Sequence, residues 1–278
     1  MKNIRFIGLA LFAMVLCTSF SACGDDGEAG EDEIKPDAPN SSTYRLKSIK
    51  STGSEYDYTI NLVYDKGRLS QYTWVYDEEI QDDTEFNQSI SYYKDKVVMK
   101  GEVDSDYITQ TYLLNKKGQA VSCTYTDGED DVKASFEYSP DGYLTKVVIT
   151  ETNRDSHQPD ITYGFFNYSQ EHNLTDGKEI DSYAYGSEYI TNFTQLYGSE
   201  LNELGIMDYF PSENTLFEYQ AAFYAGILGK PCKNLVNICT EDDYKANFSY
   251  SLYQDEKYLE VNVNGSYGYW ETKKYFYE

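Results

Sequence analysis

Histidine, the side chain whose charge changes nearest neutral pH, occurs only at His157 and His172 in 278 residues. Each lies in a polar stretch beside an acid, Asp155 or Glu171. Nothing gives the two a helical or strand spacing that would aim both at one ion, so loop positions are expected and no metal is. There is no glycine-rich phosphate loop, no His-Glu-x-x-His pair and no nucleophile elbow. A Ser-His-Asp triad assembles in space and stays open. Carboxylates are abundant, and Asp127-Gly128-Glu129-Asp130-Asp131 and Glu241-Asp242-Asp243 carry the oxygen ligands calcium uses. Neither keeps EF-hand spacing, and both read as hairpin tips. Glycoside hydrolysis needs two acids facing across a cleft, and no pair stands out. No catalytic residue and no cofactor is therefore expected. Trp74 and Trp270 remain as weak ligand-binding candidates: each could stack on a sugar ring or pack into a sheet face.

A further reactive side chain is Cys23. Lys2 and Arg5 precede an apolar run at residues 7–17, and Phe20-Ser21-Ala22-Cys23 follows. That order is a secretory signal ending in a lipobox, too short to span a membrane. Residues 1–22 are then a signal peptide, and Cys23 is lipidated and anchors the chain to a membrane. Residues 23–43, with Asp25, Asp26, Glu28, Glu31, Asp32 and Glu33, are too charged to fold and form a tether. The acidic run after the cysteine resembles the surface-export signal of lipoproteins of the Bacteroides type. That resemblance implies a lipid-anchored protein on the outer face of the outer membrane, with the periplasmic face as the alternative.

The remaining residues, 44–278, are expected to form one β-rich domain. Apolar and polar residues alternate, as in Tyr58, Ile60, Leu62 and Tyr64 against Thr59, Asn61, Val63 and Asp65, the pattern of half-buried antiparallel strands. The turns between runs share a frame. Tyr64-Asp65-Lys66-Gly67-Arg68-Leu69 is one, and Tyr138-Ser139-Pro140-Asp141-Gly142-Tyr143-Leu144 is the cleanest. Leu114 to Val121 is a looser copy, Tyr93 to Val97 a shortened one, and Tyr253 to Leu259 keeps the frame with Lys257 where glycine stood. Residues 213–228, with Ala221, Ala222 and Ala225, favour a helix stopped by Gly229. The fold expected is all-β, an up-and-down antiparallel sheet strongly curled or closed like a barrel, with that one helix on or in it.

These features are similar to the YD repeats of large secreted shell proteins. More closely, they resemble a lipoprotein family of unknown function with a porin-like fold. The residues that carry this are the hairpin Tyr138 to Lys146 and the stretch Leu228-Gly229-Lys230-Pro231-Cys232-Lys233-Asn234-Leu235. The resemblance implies a fold and supplies no catalytic residues.

Composition narrows the partners. With 47 Asp and Glu against 23 Lys and Arg, the net charge of −24 disfavours nucleic acid and anionic lipid and suits cationic or neutral ligands. The 30 tyrosines against 2 tryptophans point to sheet faces that are half wet. A surface binding or adhesion module for glycan or protein is the leading expectation. A carboxylate-dependent enzyme on polysaccharide and a structural envelope component are the alternatives. Cys232 and Cys239 are expected to pair as a disulfide if residues 234–237 turn, leaving Cys123 buried and free.

Overall fold

The structure is a computed structural model that describes residues 44–53, 57–76, 84–103, 106–128, 130–206, 216 and 219–278. The signal, Cys23 and the tether lie outside the described residues. Sixteen strands follow in chain order: Leu46–Gly53 (β1), Tyr58–Asp65 (β2), Arg68–Tyr76 (β3), Thr84–Tyr92 (β4), Lys96–Val103 (β5), Asp106–Leu114 (β6), Ala120–Asp127 (β7), Asp130–Tyr138 (β8), Leu144–Asn153 (β9), Pro159–Tyr168 (β10), Leu174–Ser182 (β11), Glu188–Leu201 (β12), Asn234–Glu241 (β13), Tyr244–Tyr253 (β14), Tyr258–Gly265 (β15) and Trp270–Tyr277 (β16). Each pairs antiparallel with the next, and β1 pairs with β16, so the sheet closes into a barrel. Closure removes the exposed edges that an open sheet of this size would present.

The alternation read from the sequence decides which side faces in. Ile60 and Leu62, Phe86 and Ile90, and Val132, Ala134 and Phe136 line the buried inner wall. Their neighbours Thr59, Asn61, Asn87, Ser89, Asp131, Lys133, Ser135 and Glu137 face outward. Lys146, in an otherwise apolar strand, pairs on the outside with Glu137 at 3.0 Å.

The turns with the shared frame all fall at one end. In the turn after β8, Ser139 N–H donates to Tyr143 O and Gly142 N–H to Ser139 O, both at 2.9 Å, with Gly142 at φ +94°. The same pair of bonds recurs between β6 and β7 with Gly118, and between β10 and β11 with His172 at φ +68°. The residue restarting each strand (Leu69, Val97, Ala120, Leu144, Leu174) is fully buried, and these form an apolar ring. The tyrosine ending the previous strand reaches back to that ring. Tyr92 OH donates to Leu69 O at 3.0 Å and Tyr138 OH to Ala120 O at 2.7 Å. Burial raises both hydroxyls well above the usual tyrosine range and pushes Tyr64 up to about 12, with Arg45 partly offsetting the last.

The connection from β12 to β13 plugs this end. Among the described residues its helix covers Gln220–Tyr224 (α1), with Leu216 also helical, and it ends before the expected residue 228. It stops early because Gly226, at φ +74°, already takes the left-handed conformation that ends a helix, three residues before Gly229. Residues 213–215, 217 and 218 lie outside the described set. Tyr219 stands edge-on to Tyr112 and Phe136, with ring centroids 6.4 and 5.6 Å apart. Tyr72 OH donates to Gln220 Oε1 at 3.1 Å, and Ala120 N–H to Ile227 O at 2.8 Å. Ala221, Ala222, Phe223 and Leu228 are buried against the wall. Each large apolar side chain so buried contributes about 1.5–3 kcal/mol.

Candidate functional site

The two ends of the barrel differ, and candidate chemistry gathers at the end without the plug. Alternation places Glu271 and Lys273 of β16 on the inner wall there, opposite Gly53 and Ser51 of β1. Glu271 is 8% exposed. Its Oε1 accepts from Ser51 Oγ at 2.5 Å and Tyr58 OH at 3.1 Å. Its Oε2 accepts from Tyr269 OH at 2.8 Å and lies 3.4 Å from Lys273 Nζ. Burial alone would raise the Glu271 pKa, but the Lys273 ammonium and the three hydroxyls outweigh it and hold the carboxyl below its usual range. A carboxylate kept charged and surrounded by four donors is suited to fixing its neighbours. It has no proton to give at neutral pH and is poorly placed to take one. Tyr269 is raised by burial and then by the facing Glu271, which favours its neutral, donating form.

The two tryptophans flank this cluster from opposite sides of the wall. Trp74 is 6% exposed inside the barrel, packed on Tyr58 with ring centroids 4.8 Å apart and on Phe86 at 5.8 Å. It is a packing residue, out of reach of a ligand arriving from solvent. Trp270 precedes Glu271, points outward and is 47% exposed. It belongs to a set of exposed aromatics on the connections of this end: Tyr107 at the start of β6, Tyr183, Tyr185 and Tyr189 around the β11–β12 turn, and Tyr267 beside Trp270. Tyr185 reaches 91% exposure. Among the described residues, the comparably exposed aromatics of the plugged end are Tyr93 and Tyr253. The tyrosine count of the sequence conceals this division, because a count does not say which end each tyrosine reaches. Position relative to the turn frame accounts for part of it: Tyr64, Tyr92, Tyr138 and Tyr168, at strand ends on the plugged side, pack against the core, whereas Tyr93 and Tyr253 of the frame stay exposed.

The acidic stretches are hairpin tips of this same end, with Asp127 facing Asp130 and Glu241 facing Tyr244. Asp131 lies 3.7 Å from Arg154, and Asp242 accepts from Asn192 N–H at 3.2 Å. Both histidines are turn residues in the left-handed conformation, on opposite ends, and His172 stacks on Tyr143 at 5.1 Å. The Cys232–Cys239 disulfide does not form: all three described cysteines are free thiols. The reason is that Leu235 and Val236 extend instead of turning. Asn234–Glu241 is one strand, and at roughly 3.3 Å per residue Cys239 lies more than about 15 Å along it from Asn234, far beyond disulfide reach. Cys232 stays in the plug, where its sulfur accepts from Tyr197 OH at 3.2 Å and Leu174 N–H at 3.4 Å. Burial raises both thiols, Cys239 to about 12, and Cys123 is buried on β7.

Taken together, a closed up-and-down barrel of sixteen strands with one end plugged defines a porin-like β-barrel protein. A family model described as a domain of unknown function (DUF4595) with porin-like fold matches residues 62–261, and the chain belongs to that family. A porin-like protein from Bacteroides uniformis superposes with a TM-score of 0.63 at 21% identity, covering 84% of this chain and 98% of that one. Another from Bacteroides vulgatus does so with a TM-score of 0.58 at 15% identity, covering 84% and 99%. At these identities the likeness speaks for the fold. A search of curated proteins returned no match.

Proposed function

We propose that this protein is a non-enzymatic binding module, tethered by lipid at Cys23 in the outer membrane and displayed at the cell surface, that takes glycan or protein ligands at the rim opposite the plug. The observation that carries this is the set of exposed aromatics on that rim, since aromatic side chains of this kind dominate recognition surfaces at low entropic cost. The saturated state of Glu271 supports binding over acid–base chemistry. Patterning supports a barrel held outside the bilayer. A lipid-facing wall is apolar, whereas this outer wall carries Lys50, Lys100, Glu102, Lys133, Glu137 and Lys178, and a Lys at the bilayer midplane costs about 2–4 kcal/mol. β1 starts at the plugged end, where Arg45 and Glu278 exchange backbone bonds. A tether would join there and leave the aromatic rim as the remote end. A chain beginning at Asn40 should stay in solution without detergent. Screening it on a glycan array and against polysaccharides for hydrolysis tests the reading. Binding weakened by Tyr185→Ala and Trp270→Ala is expected; turnover abolished by a single Asp or Glu change would overturn it.

A further inference from the structure

The outer wall of the barrel carries a groove near the unplugged end, formed by β6, β7 and β8. Thr109 and Thr111 alternate with the buried Ile108 and Gln110, Thr124 and Thr126 with Cys123 and Tyr125, and Lys133 with Val132 and Ala134, so all five turn outward. The groove they line has a volume of about 660 Å³, within the roughly 300–1,000 Å³ of small-molecule sites. Asp131 lines it as well, with two tyrosines: Tyr107, which is exposed, and Tyr125, which is buried. Thr111 stands opposite Thr124, and Thr124 opposite Lys133, which sets three polar side chains in a row at intervals of roughly 5 Å.

We propose that this groove binds a neutral saccharide. The proposal rests on the reading of the protein as a binding module and narrows its ligand to a sugar at this place. The lining decides the ligand class. A site for a lipid or another apolar molecule presents mainly apolar and aromatic side chains, whereas this one presents hydroxyls. Among the described residues, Thr109, Thr111 and Thr124 give no side-chain hydrogen bond to the protein, and Lys133 forms no ion pair. A threonine hydroxyl donates one hydrogen bond and accepts two, as a sugar hydroxyl does, so each can take either role against a ring of hydroxyls. The exposed Tyr107 ring offers an apolar surface for the C–H face of the same sugar. Charge narrows the choice further. Asp131 accepts from Thr126 Oγ1 at 3.2 Å and lies 3.7 Å from Arg154, so its carboxylate is already engaged. Asp127 and Asp130 face each other at the adjoining hairpin tip and would repel a uronate or a sulfated sugar. Lys133, in the groove itself, opposes a cationic amino sugar.

The test uses the full chain and a panel of free neutral di- and trisaccharides, with uronate and amino-sugar counterparts beside them, titrated by calorimetry and saturation-transfer NMR. At least one neutral saccharide should bind, and its charged counterparts at least tenfold more weakly. Thr111→Val/Thr124→Val removes two hydroxyls and little volume, and should weaken that saccharide at least tenfold. Its melting temperature should hold, because both side chains stand on the outer wall. Tyr107→Ala should weaken the same saccharide through the lost ring. Thr109→Trp, which fills the groove, is a further variant should the double substitution unfold. Tyr93→Ala, at the plugged end, should leave the affinity unchanged. No neutral saccharide bound, a preference for charged sugars, or an affinity that no groove variant moves would overturn the groove as a sugar site. Saccharides held through Tyr185 and Trp270, with every groove variant indifferent, would also overturn it and leave the binding-module reading standing.

Discussion

The two ends of this barrel are made from similar residues put to opposite use. At the plugged end, tyrosines close strands inward, give their hydroxyl protons to backbone carbonyls, and sit over an apolar ring capped by α1. At the other end, tyrosines stand on turns in solvent, and the buried polar groups are a charged Glu271–Lys273 pair held by hydroxyls. One end buries aromatic rings against a plug, and the other exposes them to solvent. Tyr92 and Tyr138 end strands and turn their rings onto the core, whereas Tyr185 stands within a turn, in solvent.

The largest effect that would sharpen the contrast is in the plug. Phe223→Ala, which removes a buried ring, should cost about 3–5 kcal/mol, read as a lower urea midpoint. At the opposite end, Glu271→Gln leaves the largely buried Lys273 without its countercharge and should cost about 3 kcal/mol. The pH dependence follows from the sign of the shift. An unshifted glutamate titrates near 4.5, and Glu271 is held below this in the folded state. Its stabilisation is therefore complete above about pH 4.5 and is lost as pH falls from there through the folded value. Urea midpoints between pH 6 and 3 should fall for the native chain and fall less for Glu271→Gln. A smaller effect belongs to the frame: Tyr138→Phe strands the Ala120 carbonyl and should cost about 1 kcal/mol. Smallest of all, Trp270→Ala should leave the melting temperature within about a degree while changing ligand binding, since its side chain stands on the outer surface.

Much of this architecture was legible beforehand, for physical reasons. Strict alternation along 58–65 sorts inner from outer wall, and glycine in a polar turn marks the hairpins. The frame at Tyr168 to Leu174 carries no glycine signal because His172 takes the position held by Gly142, a left-handed conformation that glycine adopts at no steric cost. The hairpin series runs on through β11 and β12. The helix ends earlier than Gly229 suggests because Gly226 already takes the left-handed conformation. The Glu271 cluster was illegible, since Ser51, Tyr58 and Glu271 come together only when β16 closes on β1, up to 220 residues apart in the chain. The disulfide expectation turned on whether Leu235 and Val236 would turn or extend, and their place in a central strand decided it.

If the rim opposite the plug is a binding face, ligand affinity depends on its exposed aromatics. The direct measurement is ligand affinity, on glycan and peptide arrays, for the native chain beside a Tyr185→Ala/Tyr189→Ala/Trp270→Ala variant whose melting temperature is unchanged. At least one ligand class should be held by the native chain and weakened tenfold or more in the variant. Ligands bound equally by both proteins, or weakened only by substitutions at the plugged end such as Tyr93→Ala, would contradict it.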